Sequence, residues 1–87
     1  MNNFRIDLRG ITERSRLHDC IAQSLPLPSY YGRNLDALYD VLCDFAAPTA
    51  LLVLCDGEPS TVVSGAVKAM RDAADCNPRL SVELWRQ

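Results

Sequence analysis

The chain has 87 residues, 48% of them hydrophobic, and a formal net charge of −2, with an isoelectric point near 5.1. That length makes a single domain over residues 1–87 with one small core. The acidic balance and the scatter of the basic residues exclude a tract for direct nucleic-acid binding, and the longest apolar run, Ala50 to Cys55, is too short to cross a bilayer.

The opening M-N-N-F-R-I-D-L reads as a strand rather than an export signal, so the expectation is a soluble, cytoplasmic protein without membrane contact. From Asn3 to Leu8, Phe4, Ile6 and Leu8 alternate with Arg5 and Asp7, as in a half-buried strand. Gly10 ends it. Ser15 is the expected cap of a first helix with Leu17, Cys20, Ile21, Ser24 and Leu25 on its inner face. His18, the single histidine, falls just off that face and reads as a packing or surface residue. Leu25-Pro26-Leu27-Pro28 stops this helix, because proline lacks a donor and biases its predecessor away from helix.

Ser29-Tyr30-Tyr31-Gly32-Arg33 follows as an ordered loop. Its tyrosines supply apolar bodies and hydroxyls, and Gly32 permits a positive φ or a close backbone approach. Asn34 caps a second helix, with Leu35, Leu38, Val41, Leu42 and Phe45 on one apolar face. Pro48 closes its exit. Ala50 to Cys55 is a continuous apolar run, expected of a strand buried on both faces. After the Asp56–Pro59 loop, Ser60 or Thr61 caps a third helix packed through Val63, Ala66, Val67, Met70 and Ala74, with Gly65 a weak point. Asn77-Pro78 ends it, and Leu80, Val82 and Leu84 alternate with Ser81, Glu83 and Trp85 in a last strand. Strands separated by helices imply right-handed crossovers, so the fold class is two-layer α/β with a three-stranded parallel sheet and helices packed against it.

Asp36, Asp40 and Asp44 stand four apart on the second helix, with no lysine or arginine between them. Like charges at this spacing cost a helix a few tenths of a kcal/mol per pair, roughly 0.2–0.5, and Asp44 meets the unfavourable end of the macrodipole. From charge alone the stripe reads as a solvated face or as a surface for a cationic partner. A carboxylate pair doing acid–base chemistry is the third reading, but no histidine base, metal cluster or phosphate-cradling loop accompanies it. Cys20, Cys43, Cys55 and Cys76 are too widely spaced for a zinc site and are expected to be reduced thiols. No metal, cofactor or catalytic residue is expected.

Tyr30-Tyr31-Gly32-x-Asn34-Leu35-Asp36-Ala37-Leu38-x-Asp40, with Leu25-x-Leu27-Pro28 and Leu17-His18 before it, resembles the signature of the barstar family. The order of elements resembles that family along the whole chain. The resemblance implies a barstar-like fold and an intracellular inhibitor, not an enzyme, that caps a microbial, barnase-type ribonuclease and neutralises it. It implies that Asp40 enters the nuclease's phosphate-binding site, that Asp36 blocks a neighbouring part, and that Tyr30 packs on the catalytic histidine. Tyr31, Gly32 and Asn34 fall in the contact loop, Tyr39 and Asp44 flank the epitope on the helix, and Asp72 is the candidate for a peripheral acidic contact. The implied partner is a basic ribonuclease in a 1:1 complex, with no direct nucleic acid and a monomer when free. Tyr39 stands where the family commonly has tryptophan, Arg33 places a cation in the acidic epitope, and the Asp56–Thr61 connection leaves no room for an extra helix. Arg33 and Tyr39 favour an alternative, a barstar-like adaptor for a different basic protein.

Overall fold

In a computed structural model of the chain, which describes residues 2–29 and 31–86, strand β2 (Thr49–Cys55) runs between β1 (Asn2–Asp7) and β3 (Leu80–Arg86). Both pairings are parallel, with Ile6 beside Val53 and Val53 beside Leu84. Helices α1 (Arg14–Ser24) and α2 (Leu35–Cys43) lie between β1 and β2, and α3 (Thr61–Cys76) lies between β2 and β3. This is the three-stranded parallel α/β arrangement that the alternation of strand and helix patterns predicts. Two crossovers moving the same way across the sheet, both of the usual right hand, put every helix on one face.

The burial pattern agrees. Leu51, Val53 and Cys55 of β2 and Ile6 and Leu8 on the β1 side are sealed, and they meet Leu17, Ile21, Leu38, Leu42, Val63, Ala66, Met70 and Ala73 from the helices. The opposite sheet face carries rows such as Arg5–Leu52–Glu83, in which Leu52 is half-covered and its neighbours exposed. The expectation that β2 is buried on both faces is therefore corrected. A run of apolar residues is compatible with one covered face when the second is shielded only by flanking side chains, and there Leu54 alone is closed off.

Three local readings also change. The cap of α1 is Glu13, which makes no side-chain cap hydrogen bond; Ser15 lies inside the first turn. The packing face of α3 gains Ala73, which is sealed, beside Ala74, which packs on the core half-buried. His18 is buried, at 4% exposure, on the core side of α1. Ser60 is the cap of α3, accepting from the Val63 N–H at 3.2 Å, and its hydroxyl donates to the Ile11 carbonyl at 2.8 Å. That bond ties the start of α3 to the loop after β1.

Candidate protein-binding site

Helix α2 is held from three sides, which fixes the direction its outer face points. Its cap works as the sequence predicts: the Ala37 N–H donates to Asn34 Oδ1 at 2.7 Å. Leu38 and Leu42 are completely buried, and Leu35 approaches α3 at Gly65, where an added Cβ would lie 3.2 Å from the Leu35 Cδ1. At the far end the buried Asn77 side chain reaches across from the end of α3. Its Nδ2 donates to the carbonyls of Leu42 and Phe45, each at 3.0 Å, and its Oδ1 accepts from the Arg79 N–H at 3.0 Å. The Leu42 carbonyl in the last turn, which also accepts from the Phe45 N–H at 3.4 Å, and the Phe45 carbonyl just past the helix are thus both bonded from another element.

With the inner face fixed, Asp36, Asp40 and Asp44 are all exposed. Asp36 lies in the first turn and Asp44 forms the C-cap. Successive members rise about 6 Å along the axis. Among the described residues the ion pairs are Arg9–Asp7, Arg33–Asp19 and Lys68–Asp72, and none uses the α2 stripe. The three carboxylates therefore face water with no cationic partner among the described residues, an arrangement that suits a cationic surface approaching from outside.

The loop before α2 is fastened to α1 at two points. The Tyr31 hydroxyl and His18 Nδ1 are 2.7 Å apart, with the rings tilted and their centroids 5.8 Å apart. Burial, and secondarily the charges of Arg33 and Arg14, hold the His18 imidazole below its ordinary pKa, so it is neutral at pH 7. Burial likewise pushes the Tyr31 phenol up. The second fastening is Arg33, whose Nη2 donates to the Ser15 carbonyl at 3.2 Å and pairs with Asp19. Arg33 adopts a φ of 55°. Of the two roles the sequence leaves open for Gly32, the positive φ falls on Arg33 instead, and the guanidinium's two partners on α1 offset a strain of about 1–2 kcal/mol. At Gly32 the constraint is space, since an added Cβ would lie 3.2 Å from Asn34 Nδ2.

Tyr31, Gly32, Asn34, Asp36 and Asp40 thus form one continuous strip of loop and helix. Tyr30 lies outside the described residues. Tyr39 is half-buried against the core rather than displayed, and hydrogen bonding with Cys43 and then Cys76 holds its phenol above its ordinary pKa. Asp72 pairs with Lys68 at 3.1 Å and borders a cavity shared with Leu84 and Arg86 of β3, so no contact joins it to the stripe. Residues that pattern alone did not single out are His18 and Asn77. Both act through partners distant in sequence, and the available signal was a polar side chain at core spacing on a helix or just past its end.

The four cysteines are free. Among the described residues no group of three or more His, Cys, Asp or Glu is placed to hold a metal ion, and no helix is long and apolar enough to cross a membrane.

Two comparisons bear on this strip. A family model described as "Barstar (barnase inhibitor)" matches residues 1–82. A Bacillus subtilis (strain 168) protein called "Putative ribonuclease inhibitor YrdF" is 40% identical over 65 residues, which cover 75% of this chain and 71% of that protein.

Proposed function

The chain belongs to the barstar family, and from that premise we propose that it is a protein inhibitor of a basic, barnase-type ribonuclease. It acts inside the cell, as a monomer when free, and forms a 1:1 complex that neutralises the enzyme. It binds and does not catalyse. The observation that carries this reading is the line of three exposed carboxylates on α2, unpaired among the described residues and next to a loop pinned to α1.

A ribonuclease must bind a polyanion, so its cleft carries arginine, lysine and histidine. Carboxylates held on a rigid helix satisfy those groups with charge-assisted, bidentate hydrogen bonds and offer no phosphodiester to cleave. Asp40, at the middle of the stripe, takes the phosphate-binding subsite, and Asp36 takes the neighbouring one. Tyr30, Tyr31, Gly32 and Asn34 cover the rim from the loop side, and Asp44 and Asp72 contribute peripheral charge. Tyr39 lines the edge of the epitope while its hydroxyl stays among the thiols of Cys43 and Cys76. The field of the stripe also steers encounter, because opposite charges raise association rates at low salt. Coupling between close interfacial charges in barnase–barstar is itself a standard example of this effect.

The test is inhibition of RNA cleavage by a purified basic microbial ribonuclease. Activity falling linearly to zero at one equivalent supports the proposal. The second reading, an adaptor for a different basic protein, is favoured by Arg33, a cation beside the stripe. Tight binding to a basic protein without loss of any ribonuclease activity would establish it.

A further inference from the structure

We propose, resting on the inhibitor reading, that the cavity between α1, the contact loop and the first turns of α2 and α3 receives an acidic side chain of the bound ribonuclease. This cavity measures about 470 Å³ and adjoins the acidic stripe at Asp36. Its lining carries Arg14 and Arg33 together with an apolar patch of Leu17, Leu35 and Val62. Arg14 makes no ion pair among the described residues. Both hydrogen bonds of the Arg33 side chain leave from one nitrogen, Nη2, so the fork is held in place while its other donors remain available. The N-terminal end of α2 also lines it, and its dipole is positive there.

Arg33 and Arg14 both act on the buried His18 to disfavour its charged form, and both line the cavity although Asp36 stands on the rim. That combination selects the ligand. An apolar patch suits the methylenes of a short side chain, and two guanidinium groups suit a carboxylate head. A phosphate dianion would meet Asp36 at twice the charge, which favours a single carboxylate. The epitope is thus bipolar: Asp36 and Asp40 demand cations from the enzyme, and the adjoining cavity demands an acid beside them. Among basic ribonucleases it would select those with a glutamate or aspartate at the cleft's edge.

The experiment has two arms. In the first, isotope-labelled protein is titrated with the α-amide of N-acetylglutamate, whose only charge is a side-chain carboxylate, and separately with the neutral glutamine counterpart. The charged probe is expected to give saturable amide shifts confined to Leu17, His18, Asn34 and Leu35, with half-saturation in the roughly millimolar range. Arg14→Gln and Arg33→Asn should each weaken it about fivefold or more, asparagine being chosen because it tolerates a positive φ. An equal response to the neutral probe, or a response indifferent to Arg14→Gln, would overturn the site. In the second arm, Arg14→Glu should raise the inhibition constant for a basic ribonuclease by about tenfold or more, and Arg71→Glu, outside the cavity, should leave it nearly unchanged. Inhibition without probe binding sinks the cavity and leaves the inhibitor reading standing. Probe binding without inhibition of any ribonuclease sinks that reading and the assigned partner together.

Discussion

The Tyr31 hydroxyl lies 2.7 Å from Nδ1 of His18, so a loop residue next to the proposed interface is fixed by a side chain buried in α1. Removing the hydroxyl leaves a buried imidazole nitrogen without its partner. Tyr31→Phe is expected to lower stability by about 1–2 kcal/mol and to speed dissociation from a ribonuclease, because the loop must then be ordered on binding. Urea denaturation and the dissociation rate measure the two effects. Unchanged values in both would show that this bond fixes nothing.

The same histidine gives the fold a pH dependence. Its pKa is lowered from the ordinary 6.5, so the unfolded chain binds a proton more readily than the folded one. Its stabilising contribution is complete above about pH 6.5 and is lost as pH falls through its lower folded value. Asp7 marks a separate window. Hydrogen bonds from Arg9 lower its pKa from 3.8 to about 2, so its contribution is present above about pH 4 and is lost as pH falls through about 2. Denaturation midpoints should therefore drop in two steps, and His18→Gln should remove the upper one alone.

Asp40→Ala separates binding from folding. Binding to a cognate ribonuclease is expected to weaken by more than about 2 kcal/mol, because enzyme cations are left buried and unpaired. The free protein is expected to gain roughly 0.2–0.5 kcal/mol, since the like-charge contacts with Asp36 and Asp44 disappear. Calorimetry on the complex and thermal melting of the free protein read the two signs. A variant that binds as well as the parent would remove Asp40 from the centre of the epitope.

Asn77→Ala should be among the costliest polar substitutions in the chain. It withdraws the donor shared by the Leu42 and Phe45 carbonyls and the acceptor of the Arg79 N–H. Leaving such groups unsatisfied costs about 1–3 kcal/mol each when fully buried, so a loss of about 3 kcal/mol in urea denaturation is expected. Asn77→Asp should cost at least as much, since a carboxylate cannot donate to either carbonyl.

Gly65→Ala tests how closely α2 and α3 approach. Alanine favours helix over glycine by about 1 kcal/mol, but its methyl would sit 3.2 Å from Leu35 Cδ1. That atom is the end of a flexible, half-buried side chain, so it can yield. A net gain of up to about 0.5 kcal/mol is expected, with binding slightly weakened because Leu35 is the neighbour of Asp36. A loss of more than about 1 kcal/mol would mean that Leu35 is locked in place.

The order of elements and the faces of α2 and α3 could be read from period and caps because those are local rules. Asn34 and Ser60 cap as their types predict, and the strand–helix alternation dictates a parallel sheet. The misreadings share a different cause. His18 reads as a packing or surface residue just off the inner face of α1; it is buried, and the residue that satisfies it stands thirteen places along the chain. Ser15 has the right chemistry for a cap, but the helix begins at Arg14, and the Ser15 carbonyl instead receives Arg33. Arg33 takes the left-handed backbone that its glycine neighbour could have adopted, and its long side chain finds two acceptors on another helix. Asn77 could be read as a helix stop, but its carbonyl partners depend on where α2 ends in space. In the candidate site, motif and charge identified the strip, while the three-sided support of α2 required the assembled fold.

The order β1-β2-β3 leaves the sheet with two open edges. Strands β1 and β3 are both outermost, and either could recruit a stray strand from a sister molecule. Arg5, Asp7, Glu83 and Arg86 decorate those borders with mixed charge, which makes such recruitment unfavourable. Mixed charge on the two outer strands thus opposes accumulation of the chain into fibres.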